Sequence, residues 1–330
     1  MATRSKGATA TDLITVTKEN FIRAESDKYF GNRVKASGLG KLATLRELMP
    51  IDKQSVIRSN RDTLYSPGVF DLDAGPVTIR LPDPGKRYLS ALIIDQDEYA
   101  IQTVYAPTTF TVSKDNVETR YAMVGIRTFV DPNDPKDMDA AHALQDQIKV
   151  EQPGGPGTFE VPNWDSASRD KLRAELVKPA ASFGDTRGMF GPRGKVDPER
   201  QLVGAASGWG GNYETDALYL TVVPPKNDGK TVHRMTIKPN VPVDAFWSVS
   251  VYGPDGYFHE NDRDAYSVNN ITARKDADGS VTIQFGGCDS ATAVNCIPIM
   301  EGWNYWVRLY RPHKEIPDGT YKFAAAQPVG

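Results

Sequence analysis

The chain has 330 residues, 39% of them hydrophobic, which is enough to fill the cores of two domains of ordinary size. A net charge of −3, with no long or aromatic-interleaved run of Lys and Arg, argues against a phosphate-backbone footprint, so nucleic acid is not an expected partner. No window approaches the roughly 20 apolar residues that span a bilayer, and "MATRSKGATATDLITV" has the basic start of a signal peptide without its apolar run, so the sequence alone reads as soluble and uncleaved.

In chain order, residues 17 to 37 predict a helix, with Thr17 as cap, Phe21, Ile22, Tyr29 and Phe30 as an apolar stripe and Gly38 as the stop. After about residue 56 the texture changes. "TLYSPGVFDLD", "GPVTIRLP", "RYLSALIID", "AIQTVYA", "TTFTVS" and "TRYAMVGIRTFV" are short β-rich runs punctuated by Pro, Gly and Asp, the pattern of an antiparallel sandwich and not of βαβ units. Helices interrupt this pattern between roughly 131 and 206. "DPKDMDAAHALQDQIKV" sets Ala141, Leu144 and Ile148 on one face, and Asp165 and Asp197 stand as caps of two further helices, the second with Pro198 in its first turn. Strands return with "ALYLTVV", "VHRMTIKP", "AFWSVSVYG", "SVTIQFGG" and "YWVRLYRP", and "DADGS" reads as a tight hairpin turn. Cys288 and Cys296, in "GGCDSATAVNCIP", either close this loop as a disulfide or remain two free thiols. The glycines before them permit a sharp bend, so a bond is expected in material from an oxidising compartment.

One segment resists a simple strand reading. In "SNRDTLYS", period-two alternation sends Arg61, Thr63 and Tyr65 to one face and Asn60, Asp62 and Leu64 to the other, so polarity falls on both faces. A solvated edge does not require that; a polar network between two layers, or a ligand-lined cleft, does. Candidates for an opposite wall come from "FWSVSVYG", with Phe246, Ser248, Ser250 and Tyr252 on one face and Trp247, Val249 and Val251 on the other. Trp247 or Trp209 is a candidate platform for an apolar ring, against the bland alternative of core packing. Arg127, in "GIRTFV", sits among apolar neighbours, where it either forks a carboxylate or pairs with Asp62 or Asp95.

Other chemistry lacks support. His142, His233, His259 and His313 form no HxH or HxxxH pair, so no metal is expected, and zinc at the cysteines lacks further ligands. There is no G-x-S-x-G, the glycines of "SGWGGNY" and "QPGGPGTF" do not follow a strand and open a helix, and "DADGS" has Gly287 where a calcium loop needs a bidentate Glu.

Several stretches together resemble one family. "NRDTLYSPGVFDLDAGPVTIRLPD" and "VGIRTFVDPNDPKDMDAAHALQDQIKVEQPGGPGTFEVPNWD" resemble the domain of unknown function 1254, while "VDAFWSVSVYGPDGYFHENDRDAYSVNN", "DADGSVTIQF" and "WNYWVRLYRPHKEIPDGTYK" resemble the domain of unknown function 1214 that commonly follows it. The resemblance implies a mainly β fold of two β-sandwiches, immunoglobulin-like and then jelly-roll-like. Combined with the element order read along the chain, this gives an N-terminal tail at 1–16, the first sandwich at 17–135, a helical connecting region at 136–206 and the second sandwich at 207–330. It also implies a bacterial, often oligomeric protein. Shorter relatives tend to carry both cysteines and a leader, which favours a periplasmic or secreted home over the cytoplasm. "NCIPIM" replaces the Asn-Trp-Leu-Pro run of many relatives.

Two functions follow as expectations. The first is binding, or cofactor-free hydrolase or lyase turnover, of a small polar organic molecule at the cleft between sandwiches. Asp62 would be acid or base, Tyr65 proton donor, Arg61 or Arg127 anion clamp, and Asn60 and Trp247 further ligand contacts. The second is a non-catalytic envelope interaction or assembly module in which the same residues are structural.

Overall fold

The β-rich runs over residues 63–129 and 217–310 fold as sheets, with helices between them. In the computed structural model, which describes residues 12–54 and 56–329, α1 (Phe21–Ser37) is followed by β1 (Thr63–Asp71), β2 (Val77–Leu81), β3 (Leu89–Asp95), β4 (Ala100–Tyr105), β5 (Thr108–Val112) and β6 (Tyr121–Phe129). Most of the expected tail at 1–16 lies outside the described residues. Next come α2 (Pro135–Asp146), β7 (Lys149–Glu151), α3 (Ser166–Leu176), α4 (Ala180–Phe183) and α5 (Pro198–Gly208). The second half contains β8 (Ala217–Val222), β9 (His233–Ile237), β10 (Trp247–Tyr252), β11 (Ser267–Asn269), β12 (Val281–Phe285), β13 (Cys296–Ile297), β14 (Asn304–Tyr310) and β15 (Gln327–Pro328).

The mainly β class expected from the sequence is observed. The first half holds a sheet in the order β1-β6-β3-β4 and another in the order β5-β2-β7; the second half holds β11-β10-β14-β8 and β13-β12-β9-β15. All pairings are antiparallel except β12 with β13. In each half one face of one sheet shares an apolar cluster with the other sheet. Phe70, Val124, Ile126, Ala91 and Ile93 meet Val77, Ile79, Leu81 and Val112; Trp247, Val249, Val307 and Leu309 meet Met235, Ile237, Ile283 and Phe285.

Pro67 lies inside β1 without breaking it because β1 is an edge strand, where a missing N–H costs no ladder bond. Residues 40–45 cover that edge: the N–H groups of Gly40, Ala43 and Leu45 donate to the carbonyls of Val69, Pro67 and Tyr65. The approach is close enough that a Cβ on Gly68 would stand 2.6 Å from the Lys41 carbonyl oxygen.

The helices follow their caps. Asp134, Asp165 and Asp197 each accept from backbone N–H groups of α2, α3 and α5. The first helix differs from expectation: it begins at Phe21, after turns over residues 18–20, and Thr17 does not cap it. Likewise Ile148 falls beyond the end of α2. Residues 149–151, inside the expected connecting region, form β7 and extend the sheet of β2.

Cys288 and Cys296 are bonded, with Cα atoms 5.6 Å apart, so the pairing expected from the loop is observed. Closing a ring this short restricts the unfolded chain by about 2.5 kcal/mol. Cys296→Ser, or reduction of the intact protein, is therefore expected to lower the melting temperature by a few degrees while leaving the far-ultraviolet circular dichroism of the folded state unchanged. Identical melting with and without reductant would show that the bond adds nothing to stability.

Candidate functional site

The polarity of "SNRDTLYS" has a local explanation. The strand starts only at Thr63, so residues 59–62 are an irregular crossing between the halves, and alternation does not apply to them. The Asn60 side chain turns the chain, its Oδ1 accepting from the Asp62 N–H at 2.7 Å while its Nδ2 donates to Tyr310 Oη at 3.0 Å. Just upstream, the Arg58 and Ser59 carbonyls accept from Arg308 Nη2 at 2.8 and 3.1 Å, and the Ser59 carbonyl also accepts from Tyr252 Oη at 2.7 Å. Arg58 itself sits in the left-handed region, φ 52°, its N–H donating to the Gly256 carbonyl at 2.9 Å. Three consecutive residues, 58 to 60, are thus stitched to the second half.

Beside this crossing lies a cavity of about 350 Å³. Its floor is the face of the β1-β6-β3-β4 sheet turned away from that sheet's core, where Tyr65 and Pro67 alternate along β1, Met123, Gly125 and Arg127 along β6, and Leu92 and Ile94 along β3. Its ceiling is the corresponding face of the second half: Trp306, Arg308 and Tyr310 alternate along β14, with Tyr219 of β8 paired opposite Arg308. Tyr29 and Arg33 of α1 and the turn Gly208–Trp209–Gly210–Gly211 after α5 close the sides. Rings define the walls: Trp306 stacks on Tyr219 with centroids 5.7 Å apart, and Trp209 stacks on Tyr29 at 4.6 Å.

The electrostatics are one-sided. Arg33, Arg58, Arg127 and Arg308 line the cavity, and among the described residues that line it there is no Asp or Glu. Arg308, 2% exposed, has its guanidinium well bonded, to Ser250 Oγ at 3.0 Å and Tyr252 Oη at 2.6 Å besides the two carbonyls. Arg127, 8% exposed, donates to the Gly210 carbonyl at 3.1 Å, while its Nε and Nη1 have no partner. The Arg58 Nη1 donates to Asn304 Oδ1 at 2.6 Å, its Nε has no partner, and burial pushes the guanidinium down to about 10. Glu98 reaches the same turn, accepting from the Gly210 N–H at 3.2 Å, and burial pushes its carboxyl well above the usual range, toward the neutral form.

Of the residues singled out by sequence, Asn60, Tyr65 and Arg127 are brought together in the cavity wall, with the Tyr65 ring 5.6 Å from the Arg127 guanidinium carbon. Three others are not. Asp62, 1% exposed, lies behind the wall, where its Oδ1 accepts from Asn269 Nδ2 at 3.1 Å, so it lacks the reach an acid or base needs. Arg61 turns to the Met49 carbonyl and covers the Tyr266 ring at 5.0 Å. Trp247 belongs to the core of the second half, edge-on to Phe323; the expected alternation of its strand holds, and the opposite face, Phe246 to Tyr252, meets the first half. Neither Asp62 nor Asp95 pairs with Arg127; Asp95 meets Arg193 at 2.6 Å. Sequence reasoning missed Arg308, Tyr310, Trp306 and Tyr219. The available signal was an arginine at an alternating position inside "YWVRLYRP", the same anomaly as Arg127 in "GIRTFV". The described residues contain no group of three or more His, Cys, Asp and Glu placed to hold a metal ion.

Burial raises the Asp62 carboxyl above its ordinary range, opposed by Ser248, the charge of Arg308 and Asn269. The folded state therefore keeps a proton that the unfolded chain releases near pH 3.9. The contribution of this group to stability is complete below that pH and is lost as pH rises toward the folded value. An Asn at position 62 can still accept from Asn269 and can donate toward Ser248. Asp62→Asn is thus expected to be at least as stable as the wild type at pH 7, with the difference in urea titrations growing as pH rises above about 4 toward the folded value. A variant weaker than wild type at pH 7 would mean that charged Asp62, balancing Arg308, holds the junction.

Comparison with known proteins adds a family and a fold. Two solved structures resemble the whole chain: the VPA0106 protein from Vibrio parahaemolyticus, 19% identical, with a TM-score of 0.68 over 95% of this chain and 98% of that one, and an uncharacterised protein from Burkholderia cenocepacia, 11% identical, with a TM-score of 0.54 over 94% and 86%. No curated protein matches. Residues 39–115 match the family described as Protein of unknown function (DUF1254), and residues 224–314 match Protein of unknown function (DUF1214). The chain belongs to the family in which these two domains occur in this order.

Proposed function

We propose that the protein binds a small organic molecule in the cavity between its two halves. The observation that carries this reading is the composition of the wall: aromatic and aliphatic side chains from two sheets, with a few polar groups from Asn60, Tyr65 and the arginines converging on one space of about 350 Å³. That size is at the low end of ligand pockets, roughly 300–1,000 Å³. Binding is favoured over acid–base turnover, because the carboxylate expected to perform it, Asp62, is not in the wall. No helix among the described residues is long and apolar enough to cross a membrane. The disulfide is compatible with an oxidising, extracytoplasmic compartment, which we propose as the site of action. Self-association, implied by the family resemblance, is proposed alongside and is read directly by light scattering of the purified protein.

Gly125 offers a clean test. It occupies the centre of β6 between Pro67 and Leu92, and a Cβ built on it meets nothing within 4 Å. Gly125→Ile should therefore fold, gain up to about 1 kcal/mol from the better strand former, and project a four-carbon side chain from the middle of the floor into the cavity. Native mass spectrometry of freshly purified protein is expected to find a co-purified small molecule on the wild type and none on the variant. A molecule retained equally by both would place it elsewhere and defeat the reading.

A further inference from the structure

Resting on that reading, we infer that the ligand is an organic monoanion, a carboxylate on a flat apolar body, with Arg127 as its anchor. Charge count is the first ground. A buried cation needs a partner, and the cavity gathers arginines from both halves without a single lining carboxylate. Arg308 already has hydroxyls and carbonyls as acceptors. Arg127 is less well supplied. Its one hydrogen bond goes to the Gly210 carbonyl, two of its nitrogens have no partner, and the groups around its charge are tyrosine rings and not acids. Glu98 accepts from the N–H of the same glycine but does not line the cavity, and burial shifts its carboxyl toward the neutral form.

Shape is the second ground. A guanidinium offers two parallel N–H groups in one plane, which match the two oxygens of a carboxylate. The surface around it is apolar and planar: Gly125 leaves bare floor between Pro67 and Leu92, and the stacked pair Trp306 and Tyr219 roofs it. A phosphate would be expected to recruit backbone N–H groups from the glycine turn, but the Gly210 N–H is given to Glu98 and the Asn212 N–H to Tyr219 Oη. The site therefore suits one flat acid better than a phosphate ester.

The test is isothermal titration of the full chain, stripped of bound molecules by refolding, with benzoate and cinnamate, their neutral amides, and phenyl phosphate. Each acid is expected to bind roughly ten- to hundredfold more tightly than its amide, the size of a charge-assisted hydrogen-bond pair, and more tightly than phenyl phosphate. In Arg127→Gln this preference should vanish while amide binding persists, and Arg127→Lys should recover part of it. The empty Arg127→Gln protein should also melt at or above the wild-type temperature, since an unpaired charge has been removed. Acids and amides binding equally, with both lost in Gly125→Ile, would overturn the anion inference and leave the cavity reading standing. No binding of any probe would overturn the inference for this class, and if Gly125→Ile also keeps its co-purified molecule, both readings fall. Tighter binding of phenyl phosphate, or a marked loss of stability in Arg127→Gln, would overturn the assignment of a carboxylate to Arg127.

Discussion

The Arg308 guanidinium is the contact on which the junction depends. It projects from the middle of β14 and takes four acceptors, two of them carbonyls of the crossing segment and two hydroxyls of its own half. A buried guanidinium bonded in this way fixes the backbone of residues 58 and 59 against the second half, which in turn sets where Asn60 turns and where β1 begins. The left-handed conformation of Arg58 persists because these bonds, and the N–H donated to Gly256, leave the chain no other path.

With that register set, the two sheets facing the junction are buried on both sides. Ala122, Val124 and Ile126 fill the first core while Met123, Gly125 and Arg127 face the cavity; Tyr305, Val307 and Leu309 fill the second core while Trp306, Arg308 and Tyr310 face it from above. The same strand thus serves a packed core with one set of residues and a ligand-sized space with the other. Burial on both faces of β6 and β14 also explains why these two strands read as near-continuous apolar runs with only two polar residues besides tyrosine in each.

That pattern governed how much was legible. Strand positions and the caps Asp165 and Asp197 were readable because they rest on local chemistry: period-two alternation, Asp before a helical run, Gly and Pro in turns. The disulfide was readable from a short loop bounded by flexible residues. The site was half readable. Asn60, Tyr65 and Arg127 were recognisable as polar groups with no solvent face to explain them, but Asp62 and Trp247 were assigned to the cavity because alternation was extended into a segment that is not strand, and because a tryptophan was given the wrong face of its sheet. Which face of β10 and β14 meets the first half depends on how two distant segments dock, and period-two patterning is symmetric with respect to that choice.

Local rules broken without compensation mark functional positions more reliably than residue type does. A glycine at the centre of a three-strand row weakens a sheet, a left-handed arginine costs about 1–2 kcal/mol, and a buried guanidinium with two idle nitrogens forfeits its hydration. In this fold Gly125, Arg58 and Arg127 all border the same space. The tyrosine rings beside Arg127 return part of the lost solvation, since the face of an aromatic ring attracts a cation by about 0.5–2 kcal/mol. Under the proposed reading the arginines are held in place by the fold before a ligand arrives, and an anion would bring the charge that the wall lacks.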